Sequence, residues 1–386
     1  MQVSRRIATF LTLFLFYITA AAQNDSCNLK VSLLTCGPGE DLYSIFGHSA
    51  LRVKDESKNI DVIFNYGTFD FEDPDFYVKF VRGKLLYFVS AERFGDFIRS
   101  YSYENRWVAE QVLTLTCSEK TKLFEALRVN AQEENKYYLY EFLFDNCSTR
   151  LIDMVRSSAD DSVHVKRIIP SDAPTFRNML HDYLNRSEKY WSKFGIDLLL
   201  GSRIDRKVKN EEAMFLPDYL MKGFDSSLIR GSTLVGSKKT ILEADERTAN
   251  GFSISPLIVT CLLLVGGVLL TTFRNARTIK ALLFFDRFLF FVLGVMGCLM
   301  MFMWYGTDHE LCRNNYNLYW AIPTHLIAAF LVGSNKPIVR KYFTLTAIVT
   351  GVFVLSWLFL PQGMNNAFFP LVLLAAIRSL HRALNK

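Results

Sequence analysis

Histidine is scarce in this chain, six in 386 residues, and the common signatures of phosphate, zinc and serine-nucleophile chemistry are missing. No GxxxxGK(S/T) loop, HExxH helix or GxSxG elbow occurs ahead of the apolar C-terminal third. By motif, that excludes P-loop phosphoryl transfer, zincin-type hydrolysis and serine-elbow hydrolysis. No lipobox precedes Cys27, so the chain lacks the mark of a lipoprotein. No internal repeat or low-complexity tract stands out. The charge excess is only +6, and much of it lies in short loops between apolar runs. It therefore argues for no nucleic-acid partner.

What the chain has in excess is apolar mass. Hydrophobic residues make up 50% of it, with 33 phenylalanines, and they are unevenly placed. Residues 1–22, MQVSRRIATFLTLFLFYITAAA, join a basic start at Arg5 and Arg6 to an apolar run ending in small residues. That is the pattern of a cleaved signal peptide. Apolar segments near 253–273, 287–305, 318–334, 342–360 and 367–380 approach the ~20 residues that cross a hydrocarbon core. The loops RNARTIK and SNKPIVRK and the tail (Arg378, Arg382, Lys386) are basic, whereas TDHELCRNNY and PQGMNN are not. Basic loops stay inside. The pattern predicts an all-α bundle of five transmembrane helices over 252–386, multi-pass in a bacterial inner membrane with a cytoplasmic C-terminus. A signal peptide demands the same orientation and a periplasmic location for the segment that follows it.

That exported segment reads as an α+β domain over 23–224 with a linker over 225–251. KVSLLTC is a strand and CGPGED a tight turn, while HSALRV and DVIFNYG are the arms of an antiparallel hairpin about KDESKN. Folding the hairpin about its turn sets His48 roughly opposite Asn65 and Tyr66. ENRWVAEQVLTLTC reads as a further strand, in a pair or at an edge. The period then becomes helical, with Ser118 and Glu119 at the start and Leu123, Leu127 and Val129 inward. In DNCSTRLIDMVRS a second helix begins, capped by Asp145 or Asn146, with Leu151, Ile152 and Val155 inward. Further helical pattern fills 171–200. The cysteines outside the membrane are Cys27, Cys36, Cys117, Cys147 and Cys312. The compartment permits a disulfide between Cys36 and either Cys117 or Cys27. An odd count leaves a free thiol, assigned to Cys147.

A thiol in the first turn of a helix feels the partial positive charge of unpaired N–H groups, which favours thiolate and can hold an oxyanion. An imidazole in reach completes its activation, and a polar third group orients that imidazole. Cys147, His48 and Asn65 are the residues for these three parts. Ser148 and Thr149 add polar groups where a buried core helix would prefer apolar ones. The plain alternative is an inert core thiol and a histidine that satisfies backbone groups. Arg150, one turn on, is a candidate for holding a phosphate or the oxyanion, with an ion pair as its simpler use. Tyr140 is a candidate for lining an acyl site. His309 lies in an outer loop on the same side of the membrane, and His325 lies in the third apolar segment, where ionisable groups are expensive. No metal or cofactor is called for.

Cysteine on a helix start and histidine on a neighbouring strand resemble papain-like hydrolases, here in permuted (NlpC-type) order with histidine first. TCGPGEDLYSIFGHSALRV, FNYGTFDF, DNCSTRLID, GIDLLLG and FLPDYL, over about 28–222, resemble the Lnb-type family of Bacteroidetes, as does WYGTDHELCRNNYNLYWAIPTHL. That resemblance implies an exported papain-like domain on a membrane bundle. It also implies lipoprotein N-acylation, the transfer of a phospholipid acyl chain through a cysteine thioester to the α-amine of a diacylglyceryl lipoprotein. Cys147 would be the nucleophile and His48 the base. The His…NC order is also similar to the lecithin:retinol acyltransferase group. Where that group has a second histidine on the next strand, this chain has Asn65. The rival functions are a cell-wall peptidase or amidase, and a non-enzymatic membrane sensor.

Overall fold

The computed structural model describes residues 27–245, 254–272 and 276–384. The expected signal peptide lies outside these residues. The chain runs through β1 (Leu29–Cys36), β2 (His48–Asp55), β3 (Ile60–Thr68), α1 (Phe76–Arg82), β4 (Leu86–Arg93), α2 (Phe94–Tyr103) and β5 (Val108–Leu113). It continues with α3 (Cys117–Asn130), β6 (Tyr137–Leu139), α4 (Cys147–Ser158), β7 (Val163–His164), α5 (Phe176–Arg186), α6 (Tyr190–Leu199) and α7 (Pro217–Ser226). The short strands β8 (Leu228–Ile229) and β9 (Ser232–Thr233) precede β10 (Val235–Leu242). The helical region comprises α8 (Pro256–Thr272), α9 (Ala276–Tyr305), α10 (His325–Leu331), α11 (Pro337–Leu355) and α12 (Phe368–Leu384).

Seven strands form one antiparallel sheet in the order β10-β5-β1-β2-β3-β4-β6. Side chains alternate between its faces, as the pleat requires. Val31, Leu33, Leu51, Val53 and Phe64 pack with Leu123 and Leu127 of α3 and Leu151 and Val155 of α4. Leu34, Cys36, Ala50 and Ile63 pack on the other face with Phe97 of α2. The β2–β3 hairpin turns where expected, because Asp55 caps a short 3-10 turn and Asn59 takes a left-handed φ of 53°.

Several expectations need correction. Continuing the pairing of Ala50 with Asn65 puts Gly67, not Asn65 or Tyr66, across from His48. The cap of α3 is Thr116, in a capping box with Glu119, rather than Ser118; Val129 is exposed, not inward. β5 is interior, between β1 and β10. Residues 228–242, expected within a linker, supply three strands, and β10 closes the sheet against β5. Its burial pattern is largely exposed, so an edge strand carries little of the apolar alternation that betrays strands in sequence. The disulfide joins Cys27 to Cys117, and Cys36 is a free, buried thiol.

Among the described residues of the helical region, two helices, Arg277–Tyr305 and Pro337–Leu355, are long and apolar enough to cross a membrane; Pro256–Thr272 is apolar but shorter. The third expected span is not one helix. A 3-10 turn at Tyr316–Tyr319 is followed by α10, which has seven residues. Pro323 lies at the break, where a helix interior would lose a hydrogen bond. This bent segment lies against α9 at Gly294 and Gly297, where any Cβ would overlap the backbone of 321–326. Asp286 of α9 is fully buried and ion-paired with Arg378 (Nε–Oδ1 2.7 Å) and Arg382 of α12. A charge so placed needs partners.

The exported domain is seated on this region through GIDLLLG. Asn315 and Asn317 donate to the carbonyls of Leu198 and Asp197, at 2.7 and 3.0 Å. Buried Asp197 accepts from Arg177, His181 and Asn365, each at 2.8 Å. Gly201 donates to the Leu311 carbonyl at 2.9 Å, and a Cβ there would collide with Arg313. The motif's last glycine is thus a close backbone approach between the two regions.

Candidate active site

The helix α4 starts at Cys147 because Asn146 takes up its loose ends. Asn146 Oδ1 accepts from the amides of Ser148 (2.7 Å) and Thr149 (2.9 Å), and the Thr149 hydroxyl accepts from the Asn146 amide (2.8 Å). Asn146 Nδ2 donates to the carbonyls of Phe142 (2.7 Å) and Phe215 (2.8 Å), which tie the helix start to the FLPDYL segment. Asn146 is 2% exposed, so the position of the thiol is fixed by a buried, fully used amide. Two helix amides expected to be open to an oxyanion are therefore already occupied.

Cys147 is buried, and burial pushes its thiol up. The backbone of Ser49, the Ser148 hydroxyl and the backbone amides of Cys147 and Ser148 oppose that rise. The helix terminus was expected to win and leave a thiolate; desolvation outweighs it in the free protein. Ser49 also meets α4 through its side chain, since Ser148 Oγ donates to Ser49 Oγ at 3.3 Å.

His48 stands next to Ser49, at the first position of β2. Its Nε2 lies 3.1 Å from Asn65 Oδ1, and Asn65 Nδ2 donates to Glu92 Oε1 at 2.7 Å. With its amide N–H committed to Glu92, Asn65 presents an acceptor to the ring, so the proton sits on Nε2 and Nδ1 keeps its lone pair. Burial lowers the His48 pKa to about 4, against the hydrogen bond to Asn65, which raises it. Burial raises the Glu92 carboxyl, and Asn65 opposes that. At neutral pH the site holds an uncharged thiol and an uncharged imidazole.

Among the described residues no hydrogen bond joins that thiol to that imidazole. The pleat gives His48 the face of Ala50 and Asn65, whereas Ser49 and Cys147 share the opposite one. The two faces meet at the end of β2, between two glycines. Gly47 precedes His48 with φ 81°, and Gly67 has φ 89°. A Cβ on Gly67 would stand 3.7 Å from Cys147 Cβ and 3.2 Å from Tyr140 Cε2. Between the histidine's strand position and the sulfur there is thus a residue with no side chain. A bulge in the β3–β4 pairing between Asn65 and Thr68 sets this glycine in place.

The other expected site residues separate. Tyr140 is beside the thiol through Gly67 and stacks on Tyr87 with ring centroids 4.5 Å apart. Arg150 is committed to Asp145, with Nε–Oδ1 2.5 Å and Nη2–Oδ2 2.7 Å, and lies 3.6 Å over the Tyr138 ring. His309 is used on α1, with Nε2 donating to the Phe80 carbonyl at 3.0 Å. His325 is buried in the helical region, 2.6 Å from the Tyr342 hydroxyl. Sequence reasoning missed Glu92, Ser49 and the full use of Asn146. For Glu92 the strand pattern of β4 was the available signal, but its partner becomes visible only in the sheet.

The comparisons agree with this two-part architecture. Residues 17–182 match the family model of the Lnb N-terminal periplasmic domain, and residues 247–386 match that of the Lnb transmembrane domain. No curated protein matches the chain, and neither does any solved structure. The order of a periplasmic α/β domain and an apolar helical region, both matched over most of the chain, makes this protein a member of the Lnb family, whose membership points to a lipoprotein-modifying enzyme of the inner membrane.

Proposed function

We propose that the protein is a lipoprotein N-acyltransferase that works through a thioester on Cys147. The observation that carries this reading is a buried thiol on a capped helix start, beside a strand end that holds a neutral histidine with a free Nδ1. This constellation is mounted on a domain hydrogen-bonded to an apolar helical region. His48, turned over the strand end past Gly67, takes the thiol proton on Nδ1. The sulfur attacks a phospholipid ester carbon, and the tetrahedral intermediate collapses with the proton passing to the leaving alkoxide. A lysophospholipid departs. The α-amine of a diacylglyceryl cysteine then attacks the thioester, His48 accepts its proton, and the thiol is restored. Splitting one transfer into two lowers each barrier. Asn65, itself held by Glu92, fixes the ring tautomer and supports the imidazolium that forms, as in Cys-His-Asn sites on papain-like folds.

Both substrates are lipid-anchored, so a site tethered to an apolar, membrane-embedded helical region meets them at high effective concentration. A cell-wall peptidase with the same pair would need no such seat. The test is intact-mass analysis of the full chain after incubation with phospholipid vesicles. One added acyl group on Cys147, absent in Cys147→Ala, is expected, together with unacylated lipoprotein amines in cells carrying only the variant. An unmodified Cys147 with altered muropeptides in those cells would replace this reading with the peptidase.

A further inference from the structure

The short helix α1 turns most of its apolar side chains to the outside. Tyr77 is 77% exposed, Val78 61%, Phe80 49% and Val81 41%, with Phe71 beside them at 61%. A contiguous patch of this kind facing water is unfavourable and marks a contact surface. Its place relative to the helical region names what it contacts. The Asp308 amide donates to the Arg82 carbonyl at 3.0 Å, and His309 Nε2 donates to the Phe80 carbonyl at 3.0 Å. Gly83 ends α1 with φ 70°, and a Cβ there would stand 3.3 Å from the Asp308 carbonyl carbon. Asp308 lies three residues past the end of α9, a helix long and apolar enough to cross a membrane. The last two residues of α9, Trp304 and Tyr305, are stacked aromatics of the kind that settle at a bilayer interface. Thus α1 is tied at the level where α9 leaves the hydrocarbon, with Lys84 Nζ 3.9 Å from Asp308 Oδ2 adding to the tie, and exposed Arg82 is placed to meet a lipid phosphate.

From this patch, aromatic rings lead inward without a break. Phe76 of α1 lies 5.8 Å from Phe69, Phe69 lies 5.4 Å from Tyr87, and Tyr87 lies 4.5 Å from Tyr140. Tyr140 and Cys147 both border Gly67. We propose that α1 is inserted in the outer leaflet of the membrane and that one acyl chain of a bilayer phospholipid leaves the leaflet there, lying along Phe69, Tyr87 and Tyr140 toward Cys147. Only the chain's destination rests on the acyl-transfer reading; the insertion of α1 stands on the exposed patch and its tie to α9. It gives His309 the task of anchoring α1 rather than meeting substrate.

The test uses the full chain as Cys147→Ala, so that no turnover is needed, in nanodiscs containing a phospholipid with a diazirine at one chain end. Illumination and peptide mapping are expected to place label within residues 69–87 as well as in the apolar helices. Label confined to residues 254–384 would overturn the proposal. A Val78→Asp, Val81→Asp double variant should lower label in 69–87 at least about tenfold, the effect of losing two valines from contact with the leaflet, with labelling of the apolar helices unchanged as proof of folding. Unchanged label in 69–87 would equally overturn it. Label in 69–87 together with an unacylated Cys147 in the wild type would uphold the insertion and remove the acyl-transfer reading alone.

Discussion

On one face of the sheet, α3 and α4 bury an apolar core and deliver Cys147; on the other, α2 covers Cys36 and Ala50, and His48, Asn65 and Glu92 form a polar chain. Both faces hold a buried free thiol, yet the two differ in chemistry. Burial pushes the Cys36 thiol up to about 12, opposed by the Tyr101 hydroxyl and the charge of Arg106. Cys147 is raised as well, but the groups that oppose the rise are the backbone of Ser49 on β2, the Ser148 hydroxyl and the first backbone amides of α4. Sulfur burial alone therefore does not make a nucleophile. A place at a helix start, and at an edge of the sheet that both faces reach, sets Cys147 apart.

The sharpest way to break this comparison is to delete each thiol. Cys147→Ala should lower acyl transfer by at least about 10⁴-fold, the scale of nucleophile removal, and Cys36→Ala should leave the rate unchanged. Equal losses measured by lipoprotein mass spectrometry would show that the faces are not distinct. Next comes the polar chain. Asn65→Ala should cost about 10- to 100-fold, the worth of a hydrogen bond to a charged group. Because that bond raises the His48 pKa, the acid limb of the rate profile should move to lower pH. A rate loss with an unmoved limb would make Asn65 merely structural.

At the edge itself, Gly67→Ala should destabilise the fold by about 1–3 kcal/mol, since its φ of 89° is costly for a residue with a Cβ. The added methyl also enters the space between Tyr140 and Cys147, so transfer should fall even where the variant is fully folded by circular dichroism. The smallest effect is on stability. The folded His48 pKa of about 4 lies below the ordinary histidine value of about 6.5, so the unfolded chain binds more protons between those values. His48 thus lets stability fall as pH drops from about 6.5 toward 4. Melting temperatures of wild type and His48→Asn should converge over that window; parallel curves would deny His48 its buried, neutral state.

Much of the site was legible because its signals are local. Cysteine after DN ahead of an amphipathic run gives a capped helix start, and hydrophobic alternation about KDESKN gives a hairpin, each within a dozen residues. The Asn65–His48 contact followed from that hairpin to within one pleat. What stayed hidden depends on contacts distant in sequence. Glu92 supports Asn65 only through β3–β4 pairing, β10 is a strand only because β5 lies beside it, and the third apolar segment bends where α9 offers two glycines.

By itself the sequence determined the division into an exported α+β domain and an apolar helical region, because hydropathy and local period are properties of neighbouring residues. It also determined that Cys147 lies at the start of a helix. Only the tertiary structure decided that Cys27 pairs with Cys117 and that Cys147 and His48 belong to opposite faces meeting at a glycine edge. It alone seated the GIDLLLG segment on the loops of the helical region. Those choices rest on strand register and the packing of distant segments, where a shift of one residue reverses every side chain.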